Sequence, residues 1–418
     1  MTTLKNGLTL ITVNLPHLES VTTMVAVGAG SRYETRANNG ISHFLEHMFF
    51  KGSRKYPTAE IIANLVDGIG AVNNAATSKE YTFYWIKSAA KHIELASDIL
   101  SSQVKESLLS EEEINRERGV IIEEMRRIKD NPAVYVFYLY ELLQFGDQPL
   151  GWDVIGSEKT ILKMDRPDFV SYINSLYSPK NMTLVYVGKL PQNIKKMAED
   201  YFSDLPQRSS FDPQPYELQK QIKPKVDVVY KDTQQVNLVM GAQGYDQDDP
   251  RRYAARMLAI ILGEGMSSRL FVQIRERRGL AYHIAADHES LRDTGLFEVY
   301  AGLKLEKIDE GLQTIKAELM RTVSEKVTEE ELKKAKEMER GRLALRSEST
   351  NFLAEYFGVR FVLERKIETF EDYLKKIDAV REEDIRKVAG ELFKDNRFNL
   401  QIIGPFKNPE QFEKILQG

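Results

Sequence analysis

Hydrophobic positions along the chain follow two periods, one typical of strands and one typical of amphipathic helices. The predicted strands are 21–27, 81–86 and 183–187 in the first half of the chain, and 236–240, 295–300 and 400–403 in the second half. The predicted helices are 58–66, 90–108 and 111–129 in the first half, and 308–323 and 329–345 in the second half. Each half therefore predicts a sheet covered by helices.

The two halves also resemble each other in sequence. Segment 181–188 is similar to segment 397–404, an offset of 404 − 188 = 216 residues. The same offset relates five more pairs of identical residues: Asp168 and Asp384, Leu176 and Leu392, Met24 and Met240, Ala26 and Ala242, Gly28 and Gly244. A shared offset of this kind indicates an internal duplication.

A proline-rich segment lies between the two halves. Residues 205–225 include Pro206, Pro213, Pro215 and Pro224 and show no sustained helix or strand period, which predicts a linker. The predicted fold class is α+β, with two similar domains at 1–204 and 226–418. Each domain is expected to be a mostly antiparallel sheet covered by helices.

Composition narrows the possible functions. The chain has 418 residues, 58 Lys and Arg against 62 Asp and Glu, and no cysteine. A net charge of -4 offers no basic excess for nucleic acid, so we expect no nucleic-acid partner. Without cysteine, the strong metal ligands are His, Asp and Glu. No apolar run approaches the roughly 20 residues of a membrane span, so we expect a cytoplasmic protein without a membrane partner.

The strongest chemical signal is the pattern His-x-x-Glu-His at His43, Glu46 and His47. Apolar residues around it have helical spacing, and Gly40 and Gly52 flank it as helix boundary signals. Histidines at i and i+4 lie on one face of a helix, so both can bind one ion, with Glu46 beside them as a base. A helix face that exposes two histidines and a glutamate to solvent is the alternative interpretation.

A third ligand is expected on the predicted helix 111–129. Its apolar stripe places Glu117 and Glu124 at the margin of the buried face and Glu123 on the solvent side. A carboxylate at such a margin is costly unless it is paired or bound to metal. This favours Glu124 as a metal ligand and Glu117 as a supporting group at the catalytic site. An ordinary charged helix face is the alternative.

The segments 43–47 and 117–124 together resemble the insulinase/pitrilysin family of zinc peptidases. They are most similar to the half-length bacterial relatives of the mitochondrial processing peptidase β subunit. Segments 70–82, 265–271 and 275–282 extend the resemblance over essentially the whole chain.

The resemblance implies a set of site residues. One zinc ion per chain would be bound by His43, His47 and Glu124, with Glu46 as the general base. Two residues of the second domain, Arg275 and Tyr282, would contact the substrate backbone and the oxyanion. An extended peptide would lie against the strand edge around Asn74 and Ala75, a segment less glycine-rich here than in many relatives.

The duplication does not extend to the metal ligands. Residues 216 positions after the proposed site residues cannot replace them: Ala259, Leu262, Gly263 and Arg340. The second domain is therefore expected to bind no metal.

The expected function is zinc-dependent cleavage of extended peptides inside a closable chamber. A homodimer is expected because one chain carries both the metal ligands and the Arg275 and Tyr282 pair; a monomer or a separate partner chain is the alternative. Other functions left open are a non-catalytic scaffold or recognition subunit of a processing-peptidase-like complex, and a zinc amidase for small molecules. His17, His92, His283 and His288 are isolated and not expected to be ligands, although the last two stay open because they follow Tyr282.

Overall fold

The structure is a computed structural model that describes residues 1–208, 215–217, 221–394 and 397–417. Its strands are β1 (Thr2–Thr3), β2 (Thr9–Asn14), β3 (Ser20–Val27), β4 (Val72–Thr77), β5 (Thr82–Ala89), β6 (Met182–Gly188), β7 (Lys225–Tyr230), β8 (Gln235–Gln243), β9 (Ala281–Ser290), β10 (Gly295–Lys304) and β11 (Asn399–Gly404).

The first helices are α1 (Ile41–Phe49), α2 (Ala59–Gly68), α3 (Ile93–Glu106), α4 (Glu111–Asp130), α5 (Pro132–Phe145), α6 (Glu158–Ile161), α7 (Arg166–Leu176) and α8 (Ile194–Phe202). The later helices are α9 (Arg252–Gly263), α10 (Ile308–Ser324), α11 (Glu329–Ser347), α12 (Thr350–Glu364), α13 (Phe370–Ala379), α14 (Glu382–Leu392) and α15 (Glu410–Gln417). Among the described residues, no helix is both long and apolar enough to cross a bilayer.

Two sheets organise the fold. The first has the order β1-β2-β6-β3-β5-β4, and the second has the order β7-β11-β8-β10-β9. In each sheet one pair is parallel, β2 with β6 and β7 with β11, and the other pairs are antiparallel. The predicted α+β class with two similar, mostly antiparallel sheets is therefore confirmed.

Helices cover both faces of the first sheet. Adjacent residues of a strand point to opposite faces, and Val185 and Tyr186 of β6 show what each face meets. A Cβ at Gly358 of α12 would lie 2.8 Å from Val185 Cγ2, so this helix packs closely on one face. On the other face, the Ser97 hydroxyl of α3 and the Tyr186 hydroxyl are 2.9 Å apart. This double cover explains why β6 is buried along its whole length.

The chain forms two compact units that are not contiguous halves. The first unit contains residues 1–126, a segment beginning at Trp152, and residues 344–368 with α12. The second contains residues 127–151 with α5, a segment from Pro215 to Leu343, and a segment beginning at Thr369. Helix α12 packs on β3 and β6, whereas α5 packs on β8 and β11.

This division differs from the contiguous domains at 1–204 and 226–418 that the sequence predicts. The reason is that α5 and α12 are apolar on most sides, so their sequence does not reveal which sheet they cover. The predicted linker 205–225 lies partly outside the described residues, at 209–214 and 218–220.

The second unit has its own core. Strands β8 and β10 contribute fully buried side chains such as Leu238, Met240 and Phe297, which join the cluster formed by α9, α10 and α14. On the other face of this sheet, Val136 and Tyr140 of α5 form a second buried cluster with Val239 and Tyr300.

Candidate metal centre

The helix α1 begins at a position that only glycine fits. Gly40 has φ +98°, and a Cβ there would lie 2.7 Å from the Ile155 carbonyl oxygen. Five apolar side chains of α1 are buried: Ile41, Phe44, Leu45, Met48 and Phe49. Burial of this face leaves His43, Glu46 and His47 on the partly exposed side of the helix, where all three can serve one site.

The structure brings the two histidines and the glutamate of α4 together. Glu124 Oε2 lies 3.8 Å from His43 Nε2 and 3.6 Å from His47 Nε2. The three ligand atoms all lie within 4.8 Å of one another, and no other such group occurs among the described residues. The neighbouring Glu123 side chain is 70% exposed and pairs with Arg126 instead.

The ligand set fits zinc. Two imidazole nitrogens and one carboxylate oxygen form a set of three protein ligands that catalytic zinc sites use, and such sites keep a fourth position open. A tetrahedral ion with bonds of about 2.0–2.2 Å separates its ligands by roughly 3.4 Å. The separations of 3.8 Å and 3.6 Å between Glu124 Oε2 and the two histidine nitrogens are slightly larger than this distance.

The ionisation state of His43 suits a metal ligand. Burial, together with a smaller effect of the neighbouring His47, lowers the pKa of His43 to about 3. The ring is therefore neutral near pH 7 and has a lone pair for a cation. Its Nδ1 atom is buried and has no hydrogen-bond partner in the described part of the chain.

The second histidine, His47, is hydrogen-bonded through Nδ1 to Glu117. His47 Nδ1 lies 2.8 Å from Glu117 Oε1, and Lys51 Nζ lies 2.5 Å from Glu117 Oε2. Burial of Glu117, which is 3% exposed, would raise its pKa, but the hydrogen bonds from His47 and Lys51 outweigh burial and lower it. The ionised carboxylate orients His47 so that Nε2 faces Glu124.

Glu46, which lies between the two histidines in sequence, has a different environment. Burial raises the pKa of Glu46, against a 2.5 Å hydrogen bond from the Thr77 hydroxyl. A carboxylate with a raised pKa is a stronger base near neutral pH. Glu46 can therefore accept a proton beside the cluster.

One buried residue that the sequence did not single out fixes the start of α1. Glu34 accepts hydrogen bonds from the backbone N–H groups of Gly40 (2.8 Å) and Ser42 (2.9 Å), from the Ser42 hydroxyl, and from Asn39 Nδ2 (2.9 Å). It thus replaces the cap that Gly40 cannot supply. Burial raises its pKa to about 7, against these hydrogen bonds. The only sequence signal was an acidic residue shortly before a helix.

The two site residues predicted in the second unit are adjacent there. The Arg275 guanidinium lies 4.8 Å from the Phe271 ring centre and 5.2 Å from the Tyr282 ring centre. Arg275 belongs to a π-helical turn, Phe271–Glu276, a rare geometry that is frequent at functional sites. Tyr282 is 79% exposed.

The predicted peptide-binding segment lies on an edge strand. Asn74 and Ala75 are in β4, which pairs with β5 on one side and, among the described residues, with no strand on the other. Asn74 is exposed and Ala75 is buried. The outer edge of β4 is therefore not paired with a strand among the described residues, and the Ala75 backbone N–H donates to Asn74 Oδ1 at 2.9 Å.

The two histidines that follow Tyr282, His283 and His288, contact other residues. His288 Nε2 accepts a hydrogen bond from the Tyr245 backbone N–H at 3.1 Å, and burial lowers its pKa to about 3. The His283 ring centre lies 5.4 Å from that of Tyr300. Neither belongs to a cluster of metal-ligand type within the described residues.

An inverted His-x-x-Glu-His helix, a glutamate from a second helix and a duplicated α+β fold define a class of zinc metalloproteases. The sequence matches "Insulinase (Peptidase family M16)" over residues 9–156 and "Peptidase M16 inactive domain" over residues 163–339. The chain therefore belongs to peptidase family M16, and its intact metal-ligand set makes it a zinc protease of that family.

Relatives of similar length support this assignment. An uncharacterized zinc protease of Rickettsia felis is 35% identical over 96% of both chains, and one of Bacillus subtilis is 32% identical over 97% of this chain and 98% of its own. The mitochondrial-processing peptidase subunit beta of Lentinula edodes is 31% identical over 99% of this chain and 92% of its own. A crystal structure of a protease from Helicobacter pylori has a TM-score of 0.90 at 25% identity, covering 97% and 98% of the two chains.

Proposed function

We propose that the chain is a zinc-dependent endopeptidase that hydrolyses extended peptides, with Glu46 as the general base. The observation that carries this proposal is the convergence of His43, His47 and Glu124 within 4.8 Å, with Glu46 on the same helix as both histidines. One ion per chain is proposed because the described residues contain one such group.

The chemistry follows from the residues at this centre. His43, His47 and Glu124 would hold a zinc ion, which would supply a Lewis acid for the scissile carbonyl and would lower the pKa of water to about 7. Glu46 takes the proton from the attacking water and later gives it to the leaving amine. Glu117 keeps His47 in one orientation and one tautomer throughout.

The substrate proposal rests on the free edge of β4. An extended peptide can add to this edge as a further strand, with Asn74 and Ala75 as its neighbours. Main-chain hydrogen bonds then supply most of the affinity, so selectivity for sequence is expected to be loose. Thr77, the last residue of β4, hydrogen-bonds to Glu46, which supports peptide binding along this strand.

We also propose that Arg275 and Tyr282 contact the substrate backbone and stabilise the oxyanion. Their mutual contact and the exposure of Tyr282 support a shared role. Loss of one oxyanion donor typically lowers the rate by about 10²–10³-fold. The variant Arg275→Ala tests the role, with the exposed neighbour Arg277→Ala as its control.

The oligomeric state, the substrate chamber and the location of the enzyme are proposed from the sequence. The enzyme is proposed to act as a homodimer, because one chain carries both the ligand set and the Arg275 and Tyr282 pair. It is proposed to enclose its substrate in a closable chamber, as the family resemblance implies, and to reside in the cytoplasm. Sedimentation velocity tests the dimer, a size limit on cleaved substrates tests the chamber, and cell fractionation tests the location.

The decisive experiment compares the wild type with Glu46→Gln. We expect both proteins to bind one zinc per chain and only the wild type to cleave an unstructured peptide. The exposed Glu60→Gln serves as a control for loss of one negative charge. Unchanged cleavage by Glu46→Gln would remove Glu46 from the mechanism. Zinc binding without peptide cleavage by the wild type would instead favour the scaffold or recognition subunit.

A further inference from the structure

The strand β4 ends beside the base. Thr77 Oγ1 donates its 2.5 Å hydrogen bond to Glu46 Oε2, and no other hydrogen bond reaches this carboxylate within the described part of the chain. One oxygen of Glu46 is therefore held in place, and Oε1 is left to accept a proton. This division of roles is what a positioned general base requires.

The hairpin that carries Thr77 is itself anchored. The backbone N–H of Ser31 donates to the Ser78 carbonyl at 3.3 Å, and that of Arg32 donates to the Lys79 carbonyl at 2.8 Å. The buried side chains of Arg32 and Glu80 form an ion pair at 2.5 Å. The turn after Thr77 is thus fixed by both backbone and side-chain bonds.

Gly30 allows the turn after Thr77 to pack closely against the segment 28–31. A Cβ at Gly30 would lie 2.4 Å from the Ser78 carbonyl oxygen, so any larger residue would push the hairpin away. The Thr82 hydroxyl, opposite Thr77 in the β4–β5 pair, donates to the Ala29 carbonyl at 2.8 Å. The glycine-containing segment 28–31 therefore packs against the turn that holds Thr77.

We propose that Thr77 is a positioning residue for the general base, and that the anchored β4–β5 hairpin exists partly to present its hydroxyl to Glu46. This inference rests on the proposed role of Glu46. A glutamate side chain without such a bond samples several rotamers, and only some of them direct Oε1 toward a substrate. The hydroxyl selects one of them before substrate binds, so the orientation costs nothing during the reaction.

The test uses the full-length, zinc-loaded enzyme and an unstructured peptide. Thr77→Val removes the hydroxyl at nearly constant shape, and Thr77→Ser retains it. Thr12→Val makes the same change on β2, where the hydroxyl forms no hydrogen bond within the described residues. We expect kcat to fall about ten-fold in Thr77→Val, as loss of a hydrogen bond to a charged group implies. KM and zinc content should stay at the wild-type values, and Thr77→Ser and Thr12→Val should retain the wild-type kcat.

A second readout does not depend on activity. In crystal structures of the zinc-loaded proteins, we expect Glu46 in more than one conformer in Thr77→Val and in one conformer in Thr77→Ser. The variant Thr77→Ala repeats the test if valine disturbs the strand. The inference is wrong if Thr77→Val keeps the wild-type kcat and a single Glu46 conformer, or if Thr77→Ser is equally impaired. A wild type that cleaves no peptide would refute the proposed function, and the conformers of Glu46 would still decide the role of Thr77.

Discussion

At the scale of single residues, helical periodicity distinguished the glutamates of α4 that can reach the metal site from the one that faces solvent. It separated Glu124 and Glu117, at the margin of the apolar stripe, from Glu123 on the solvent side, and the structure places all three accordingly. Periodicity could not reveal Glu34, Lys51 or Thr77. Their roles arise from contacts across turns and between elements, which no local pattern encodes.

The two histidines differ in their support, and this leads to a prediction about zinc affinity. His47 is held by Glu117, whereas His43 Nδ1 has no partner among the described residues. Loss of such a supporting carboxylate typically weakens metal binding about 10–100-fold. We expect Glu117→Gln to weaken zinc binding by this amount, measured by competition with a chelator.

The control for this prediction lies on the same helix. Glu112 has a side chain that is 82% exposed, and Glu112→Gln removes the same charge without touching His47. Equal zinc affinities of the Glu117→Gln and Glu112→Gln proteins would show that Glu117 does not support the metal site.

At the scale of elements, hydrophobic periodicity predicted six strands and six helices of the structure: β3, β5, β6, β8, β10 and β11, and α1, α2, α3, α4, α10 and α11. The assignment of α5 and α12 to their sheets was not predictable, because both helices are apolar on several sides. The start of α1 was only partly predictable. Gly40 marked the boundary, but the cap comes from Glu34, whose carboxylate folds back to the backbone N–H groups.

The start of α11 gives a prediction about pH. Glu331 accepts from the Thr328 backbone N–H at 2.9 Å and pairs through both oxygens with Arg269. Its hydrogen bond with Arg269 lowers the pKa of Glu331 to about 2, against partial burial. Because the folded pKa is depressed, Glu331 stabilises the fold above its unfolded pKa of about 4.5, and this contribution disappears as the pH falls toward 2.

We expect Glu331→Gln to lower the free energy of unfolding at pH 7 by about 1 kcal/mol, since the pair is partly solvated. The difference from the wild type should vanish between about pH 4.5 and pH 2, as followed by denaturant titrations at several pH values. The exposed neighbour Glu330→Gln should differ little from the wild type throughout. A difference for Glu331→Gln that stays constant with pH would contradict this assignment.

At the scale of the whole molecule, the sequence predicted a duplication in which one copy lacks the metal ligands. The structure shows the duplication: the strands β2-β6-β3-β5-β4 of the first sheet correspond in order and direction to β7-β11-β8-β10-β9 of the second. The metal-ligand group found among the described residues belongs to the first unit. The sequence could not show that each unit takes one helix from the other half of the chain, because such exchanges depend on tertiary packing.

Because the two units have separate cores, we expect zinc to stabilise mainly the unit that binds it. An ion that binds only the folded state stabilises it by RT ln(1 + [zinc]/Kd), about 2.7 kcal/mol at one hundred times Kd. We expect zinc to slow amide hydrogen exchange in α1 and α4 and to leave β8 and β10 unchanged. The variant Glu124→Gln should show no such slowing at the same zinc concentration, and equal slowing in both units would contradict a site confined to the first unit.

His43, His47 and Glu124 are proposed to bind one zinc ion. Anomalous diffraction from a crystal of the zinc-loaded protein, recorded on both sides of the zinc absorption edge, tests this proposal most directly. We expect one strong peak per chain, about 2.0–2.2 Å from His43 Nε2, His47 Nε2 and a Glu124 carboxylate oxygen. A peak at another location, or none at these three residues in a crystal grown with excess zinc, would show that His43, His47 and Glu124 do not form the zinc site.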